Sequence, residues 1–261
     1  MQPQAPLPHV VVVPAMGVHS AYYRTLESAL GAIGWSSCTM AARGIDRDTS
    51  PPSRDLDWGY AEVVEGVADH VATVRTQQPE TPIVLLGHSL GGQVSLGYLL
   101  DGGTVDGLVL AGASEPWFWH YRARSWGIWG LAASVPVVTA LYGYWPRWGF
   151  GGPQPRTLMR EWARFVRRRR LPHPRGPVPN RALDVPTFVL QVEGDQLSVP
   201  RAARALSRAV RADRLTWWDY RRADAPDGAR IDHLSWAKAP APAVAALQDW
   251  WAREGARVPA S

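Results

Sequence analysis

The 261-residue sequence predicts an α/β fold, a mostly parallel twisted sheet with helices on both faces and an inserted, mostly helical cap. Three observations carry this. Short runs rich in Val, Ile and Leu alternate with amphipathic segments, and that rhythm needs crossover helices between parallel strands. The runs themselves are almost free of charge, as strands covered on both faces must be. The alternation stops between 114 and 182, where aromatic residues crowd together, and resumes afterwards. The chain therefore reads as one core formed by 1–113 and 183–261, interrupted by a Trp-rich cap at 114–182.

The elements follow in order. His9 to Pro14 is a β-branched strand that Pro14 ends. Tyr22 to Ile33 carries Tyr22, Leu26, Ala29, Leu30 and Ile33 at helical spacing, with Gly34 as its stop. Ser36 to Ala42 is a second strand, and 47–57 a polar loop. Trp58 to Gln77 is a long amphipathic helix, closed by Pro79. Ile83 to Leu86 is a strand, 93–100 a helix that ends at Asp101-Gly102-Gly103, and Val105 to Ala113 another strand. After the insertion come a strand at Thr187 to Val192, a helix at Arg201 to Val210, a strand at Leu215 to Tyr220 and a closing helix at Pro242 to Arg253. Ligands of such sheets bind beyond the C-terminal strand ends, where Met16, Ser89 and Ser114 all fall.

The most informative stretch is Gly87-His88-Ser89-Leu90-Gly91-Gly92. A strand ends, a sharp turn follows, and a helix begins at once. A serine at the tip of such a turn holds strained backbone angles, and Gly87 and Gly91 are expected to approach each other across it. The turn lifts the Ser89 hydroxyl off the sheet and sets the Leu90 N–H at the positive end of the new helix, suited to an oxyanion.

This Gly-x-Ser-x-Gly turn after a Val/Leu strand resembles the nucleophile elbow of the α/β-hydrolase superfamily. The resemblance implies a triad in the chain order Ser, Asp/Glu, His. Glu193-Gly194-Asp195, with Val199-Pro200 after it, is similar to the family's acid loop. It makes Asp195 the expected acid and Glu193 the alternative. His233 follows the last strand and is the expected base; His88 is not. Pro14-Ala15-Met16-Gly17 stands where the family carries a His-Gly oxyanion loop, so Met16 is the candidate second donor, by its backbone N–H. Residues 114–182 lie where the family carries its cap. Within them Tyr144-Trp145-Pro146 and Glu161-Trp162-Ala163-Arg164 resemble a little-studied bacterial branch of α/β hydrolases.

The cap holds seven of the fourteen tryptophans. Most are expected to form its core. Some of Trp117, Trp119, Trp126, Trp129, Trp145 and Trp148 are expected to wall the substrate pocket, with His19 nearby. The uncharged stretch Trp126 to Trp145 is about long enough to span a bilayer, but its glycines and Pro136 favour a buried helix pair broken near Pro136. Arg167 to Arg170 are expected to face solvent rather than hold an anion.

Composition excludes other classes. Net charge is +5, but the arginines are spread out and no nucleic-acid motif accompanies them. Scattered histidines and the single Cys38 offer no metal cluster, and neither a P-loop nor a dinucleotide fingerprint is present, so no cofactor or metal is expected. One cysteine and a Met1 to Pro8 stretch without a signal pattern imply a cytoplasmic protein without stable membrane insertion. The expected activity is hydrolysis of an ester or thioester of an apolar or aromatic acyl group. Acyl transfer, cyclisation or lyase chemistry at the same site remains open. So does an aminopeptidase that anchors an amine through Glu115 or Glu161, and so does a non-catalytic ligand-binding protein of this fold.

Overall fold

Six parallel strands form one sheet in the order β2-β1-β3-β4-β5-β6. They are β1 (His9–Val13), β2 (Ser36–Thr39), β3 (Ile83–His88), β4 (Gly107–Ala111), β5 (Thr187–Val192) and β6 (Leu215–Tyr220). The structure, a computed structural model, describes residues 6–173 and 182–254. The proline-rich stretch 171–179 and the N-terminal 1–8 therefore lie partly outside the described residues. Every residue of β1, β3, β4 and β5 is buried, whereas β2 and β6, the two edges, are partly exposed. That is why the edge strands carry Ser, Thr and Asp: their outer faces meet water. Strand β2 stops at Thr39, three residues before the sequence suggests, as the chain turns away to bring Met40 into the core.

The helices are α1 (Arg24–Ala32), α2 (Tyr60–Gln77), α3 (Leu90–Leu100), α4 (Ser125–Tyr142), α5 (Arg156–Arg168), α6 (Pro200–Ser207) and α7 (Ala241–Glu254). Helices α1 and α7 cover one face of the sheet with Leu26, Leu30, Val244, Leu247 and Trp250. Helices α2, α3 and α6 cover the other with Val67, Val71, Val74, Leu96, Leu99 and Leu206. Each such aliphatic side chain contributes about 1.5–3 kcal/mol on burial, so these two layers are the main stabilising term.

Between β4 and β5 the chain leaves the sheet for a 3-10 turn (Phe118–Arg124), α4, a short loop closed by a Trp145–Gln154 bridge, and α5. A third apolar cluster seats these elements on α2 and α3. Ala132, Val135, Trp145, Leu158, Met159 and Trp162 meet Trp58, Tyr60, Val64, Leu90 and Val94 there. Polar ties fix the same junction. Glu161 accepts the Tyr60 N–H at 2.7 Å, and Asp57 accepts from the Thr157 N–H at 2.9 Å and its hydroxyl at 2.6 Å.

Two expectations about this insertion are corrected. Helix α4 runs unbroken through Pro136. The proline removes one backbone bond, and packing of Ala132, Val135 and Thr139 outweighs that loss. The tryptophans are also not mostly cap core: Trp119, Trp126, Trp129 and Trp148 are exposed, Trp126 by 65% and Trp148 by 68%. They share the outer face of α4 and its flanks with Val137, Leu141 and Tyr142, opposite the face that packs. Counted with its preceding turn, Phe118–Tyr142 is long and apolar enough to cross a membrane, by length and composition alone.

Candidate active site

The turn after β3 is built as strained sequence chemistry requires. Ser89 sits at φ 56°, ψ −113°, one of three non-glycine residues with positive φ among the described residues. The glycines make the expected close approach, and Gly91 makes a further one. A methyl group at Gly87 would collide with Gly91 and Gly92, while one at Gly91 would run into the Val13 carbonyl of β1. Gly91 therefore lets α3 approach the neighbouring strand, rather than simply clearing Gly87. Leu90 opens α3, so its N–H belongs to the first turn, which has no intrahelical acceptor.

Loops after three different strands converge on Ser89. His233 Nε2 lies 2.8 Å from Ser89 Oγ, and His233 Nδ1 lies 2.7 Å from Asp195 Oδ2. Asp195 is held in turn: its Oδ1 accepts the Leu197 N–H at 2.7 Å and the Ser198 N–H at 2.9 Å. Its side chain is fully buried and that of His233 nearly so. An ionised carboxylate only accepts hydrogen bonds. His233 must then carry its proton on Nδ1, which leaves Nε2 free to accept from the Ser89 hydroxyl. Glu193 points elsewhere and accepts the Arg222 N–H at 2.7 Å. Its strand-end position turns it toward β6 and away from the histidine.

Behind Ser89 runs a second relay that the sequence reading missed. The Ala15 N–H donates to the Tyr23 hydroxyl at 2.9 Å, and that hydroxyl donates to His88 Nδ1 at 2.8 Å. His88 Nε2 then donates to the His233 carbonyl oxygen at 2.7 Å. The loop bearing Met16 and the loop bearing His233 are thus joined through one buried histidine. Burial, and secondarily the neighbouring His233, push the His88 pKa down to about 3, so the ring stays neutral. The only sequence signal for this relay is a tyrosine and a histidine in otherwise apolar surroundings.

A cavity of about 140 Å³ opens at Ser89. Met16 and Leu90 line it, together with Gln93, Ser114, Pro116, Tyr121, Arg124, Ile128, Leu131, Phe150, Trp162 and Leu197. None of the six tryptophans proposed from sequence is among its lining residues. Trp145 is buried in the cap and donates its indole N–H to the Phe150 carbonyl at 3.0 Å. Trp117 packs beneath the Arg169 guanidinium at 4.5 Å, and the others face outward. Trp162 and Phe150 provide the aromatic wall instead. Trp162 lies in phase with Leu158, Met159, Phe165 and Val166 on the buried side of α5, a periodicity visible in the sequence. His19 is also elsewhere: its Nδ1 pairs with Asp46 at 2.8 Å at the start of the first helical turn. A larger chamber, about 460 Å³ and mostly apolar, shares Met16 and Leu90 with the Ser89 cavity and extends toward Met40, Trp58 and Val63.

Nearby charges are already engaged. Glu115 binds His120 Nε2 and Arg169 Nε, both at 2.8 Å. Within the run 167–170, Arg168, Arg169 and Arg170 are exposed, and Arg169, which ends α5 in a left-handed conformation, also makes this pair.

Comparison with known proteins follows the same lines. Residues 4–167 match the family model described as serine aminopeptidase, S33. No curated protein matches the sequence. The fold is similar to a monoglyceride lipase from Saccharomyces cerevisiae, solved as a soluble variant with a substrate analog. That match has a TM-score of 0.66 and 12% identity, and covers 97% of this chain and 89% of that one. A monoacylglycerol lipase from Paleococcus ferrophilus gives a TM-score of 0.61 at 16% identity, covering 96% and 97%. The thioesterase RedJ of prodiginine biosynthesis in Streptomyces coelicolor gives 0.54 at 16%, covering 94% and 86%.

Proposed function

The chain belongs to the serine aminopeptidase S33 family of α/β hydrolases, and from that premise we propose that it cleaves an ester or thioester of an apolar or aromatic acyl group through Ser89, His233 and Asp195. The observation that carries the reading is the hydrogen-bond chain Ser89–His233–Asp195 on a strained turn. His233 Nε2 removes the Ser89 proton as Oγ attacks the acyl carbon, and Asp195 stabilises the imidazolium that forms. The Leu90 and Met16 N–H groups receive the oxyanion, worth about 3–4 kcal/mol per donor at typical sites. His233 then protonates the departing oxygen or sulfur, and water repeats the sequence in reverse to free the acid.

Cavity chemistry supports the acyl class. Met16, Leu90, Ile128, Leu131, Phe150 and Trp162 surround Ser89. No carboxylate lines the cavity. An aminopeptidase needs an anion for the substrate's amine, and both cap candidates are committed, Glu115 to His120 and Arg169 and Glu161 to the Tyr60 N–H. This favours acyl hydrolysis over peptide cleavage. The cavity of about 140 Å³ adjoins the larger chamber, and Met16 and Leu90 line both. Longer acyl chains have the larger chamber on the other side of Met16, a flexible side chain, to extend into. Lone Cys38 suits a reducing cytoplasm as the place of action.

Two measurements test this together. Fluorophosphonate labelling should vanish in Ser89→Ala while the protein stays folded. Across p-nitrophenyl esters from acetyl to hexanoyl, kcat/KM should rise by up to about fourfold per methylene, the equivalent of about 0.8 kcal/mol. Labelling that survives the substitution removes Ser89 from the mechanism, and a flat or falling series overturns the apolar acyl class.

A further inference from the structure

A second opening, about 520 Å³, lies between the turn that enters the cap and the loop that carries Asp195. Its lining includes Arg122, Arg124, Arg201 and Arg204 with His120, and no carboxylate. Among the described residues none of these four arginines forms an ion pair. The four guanidinium groups are thus a concentration of positive charge, with Glu115, held by His120 and Arg169, as the carboxylate behind the lining. Helix α6 begins here at Pro200, and no side chain caps its N-terminus, so its dipole adds to the same field. Arg122 itself holds φ 49°, ψ −119°, a strained backbone that turns the chain between cap entry and α4.

The cleft shares a wall with the reaction centre. Tyr121 and Arg124 line both it and the Ser89 cavity. The Tyr121 hydroxyl donates to the Leu197 carbonyl at 2.8 Å, and Arg124 Nη1 donates to the Gln196 carbonyl at 2.8 Å. The residues that divide the two spaces are therefore anchored to the Asp195 loop. An acyl group seated among Ile128, Leu131, Phe150 and Trp162 would leave Tyr121 and Arg124 as the wall between its leaving group and the cleft.

We propose that this arginine cleft binds a phosphate group carried by the leaving group of the substrate. The proposal rests on the hydrolase reading of Ser89 and narrows it. Guanidinium groups match phosphate oxygens in planar pairs, and four of them around one cleft suit a phosphate better than a lone carboxylate. The phosphate is not cleaved. Ser89 Oγ forms the acyl bond, the bond to the leaving sulfur or oxygen breaks, and His233 returns the proton to that atom. Water then restores Ser89, so the products are the acid and the intact phosphorylated thiol or alcohol.

The test uses two matched pairs that share an acyl chain: hexanoyl-CoA with hexanoyl N-acetylcysteamine, and a lysophosphatidate with the corresponding monoacylglycerol. In the wild-type enzyme, kcat/KM should favour the phosphorylated member of one pair by about tenfold or more, with the preference shrinking at high salt. The pair that responds identifies the source of the phosphate. In R201E/R204E the ratio should fall to about one or below. Both residues are exposed; position 201 lies in the first turn of α6, where glutamate is favoured, and position 204 in its last turn, where an exposed glutamate is only weakly disfavoured, so the two dipole effects offset and α6 should persist. Ratios near one in both pairs, or a ratio that survives the double substitution, would overturn the proposal. Calorimetric titration separates it from the parent reading. If no substrate is turned over through Ser89, that reading falls, and the cleft is still judged by the binding of CoA and of lysophosphatidate to Ser89→Ala. At least one should bind, and R201E/R204E in that background should abolish its binding. Binding of neither, or binding that persists, counts against the cleft.

Discussion

Tyr23→Phe removes a single oxygen from the middle of the buried relay that joins two active-site loops. Tyr23 is fully buried, and its hydroxyl accepts from Ala15 and donates to His88 at 2.9 and 2.8 Å. Phenylalanine keeps the ring and its packing, so almost no cavity forms. What remains is one backbone N–H and one imidazole nitrogen, both buried and both without a partner. Each such orphan costs about 1–3 kcal/mol, so the substitution should destabilise the fold by about 2–6 kcal/mol. For a chain of this size about 2–4 °C accompanies each kcal/mol, which puts the melting temperature about 4–24 °C lower. Activity should fall as well, even at a temperature where the variant is fully folded. Ala15 precedes Met16, and His88 holds the His233 carbonyl, so both the loop proposed to hold the oxyanion and the proposed base loosen. Thermal melting by circular dichroism and kcat on the preferred ester measure the two effects. Tyr98→Phe is the control. Its hydroxyl has exposed partners at 3.3 and 3.4 Å, and its loss should cost under about 0.5 kcal/mol. If Tyr23→Phe melts within about 2 °C of the wild type, the relay does not hold these loops and the reasoning fails.

Asp195→Asn should leave the loop intact, since the amide oxygen can still accept the Leu197 and Ser198 N–H groups, but it presents an NH₂ donor to His233 Nδ1. The ring must then move its proton toward Ser89, and kcat should drop by about 10⁴ with little change in melting temperature; a loss under about tenfold would exclude Asp195 as the orienting acid. His88 makes a pH prediction. It stays neutral in the folded protein down to pH about 3, whereas in the unfolded chain it protonates below its ordinary 6.5. The unfolded state therefore binds the extra proton in that window, and stability is lost as pH falls, by about 1.4 kcal/mol per unit or about 2 kcal/mol at pH 5. An NMR titration of the folded protein should find the His88 ring neutral at pH 5, and a midpoint near 6 would refute the burial argument.

Much of this was legible in the sequence because it depends on local physics. Strand runs such as Val10 to Val13 and Ile83 to Leu86 declare double-sided burial by composition alone. The turn at Ser89 declares itself because only glycine satisfies its close approaches, at Gly87 and Gly91. The chain order of Ser89, Asp195 and His233 could be listed from sequence, since each follows a recognisable strand and parallel strands bring their C-terminal ends to one edge. Helical phase on α5 marks Trp162 as inward, whereas α4 is apolar on all sides and gives Trp126 and Trp129 no such signal.

Tertiary structure alone decided the rest. Glu193 and Asp195 are two residues apart in one loop, and only the packing of β6 beside β5 turns one toward Arg222 and the other toward His233. Tyr23, His88 and the His233 carbonyl make a relay across 65 and then 145 residues of chain, which no local pattern encodes. Arg122 and Arg124 read as a cap turn, and Arg201 and Arg204 as a helix start. They become one cleft because the chain leaves the sheet after β4 and returns through β5, and adjacent parallel strands place those two loops side by side. Sequence sets what each segment prefers to bury. Which charged and aromatic side chains then share a space follows from the strand order, a property of the whole sheet.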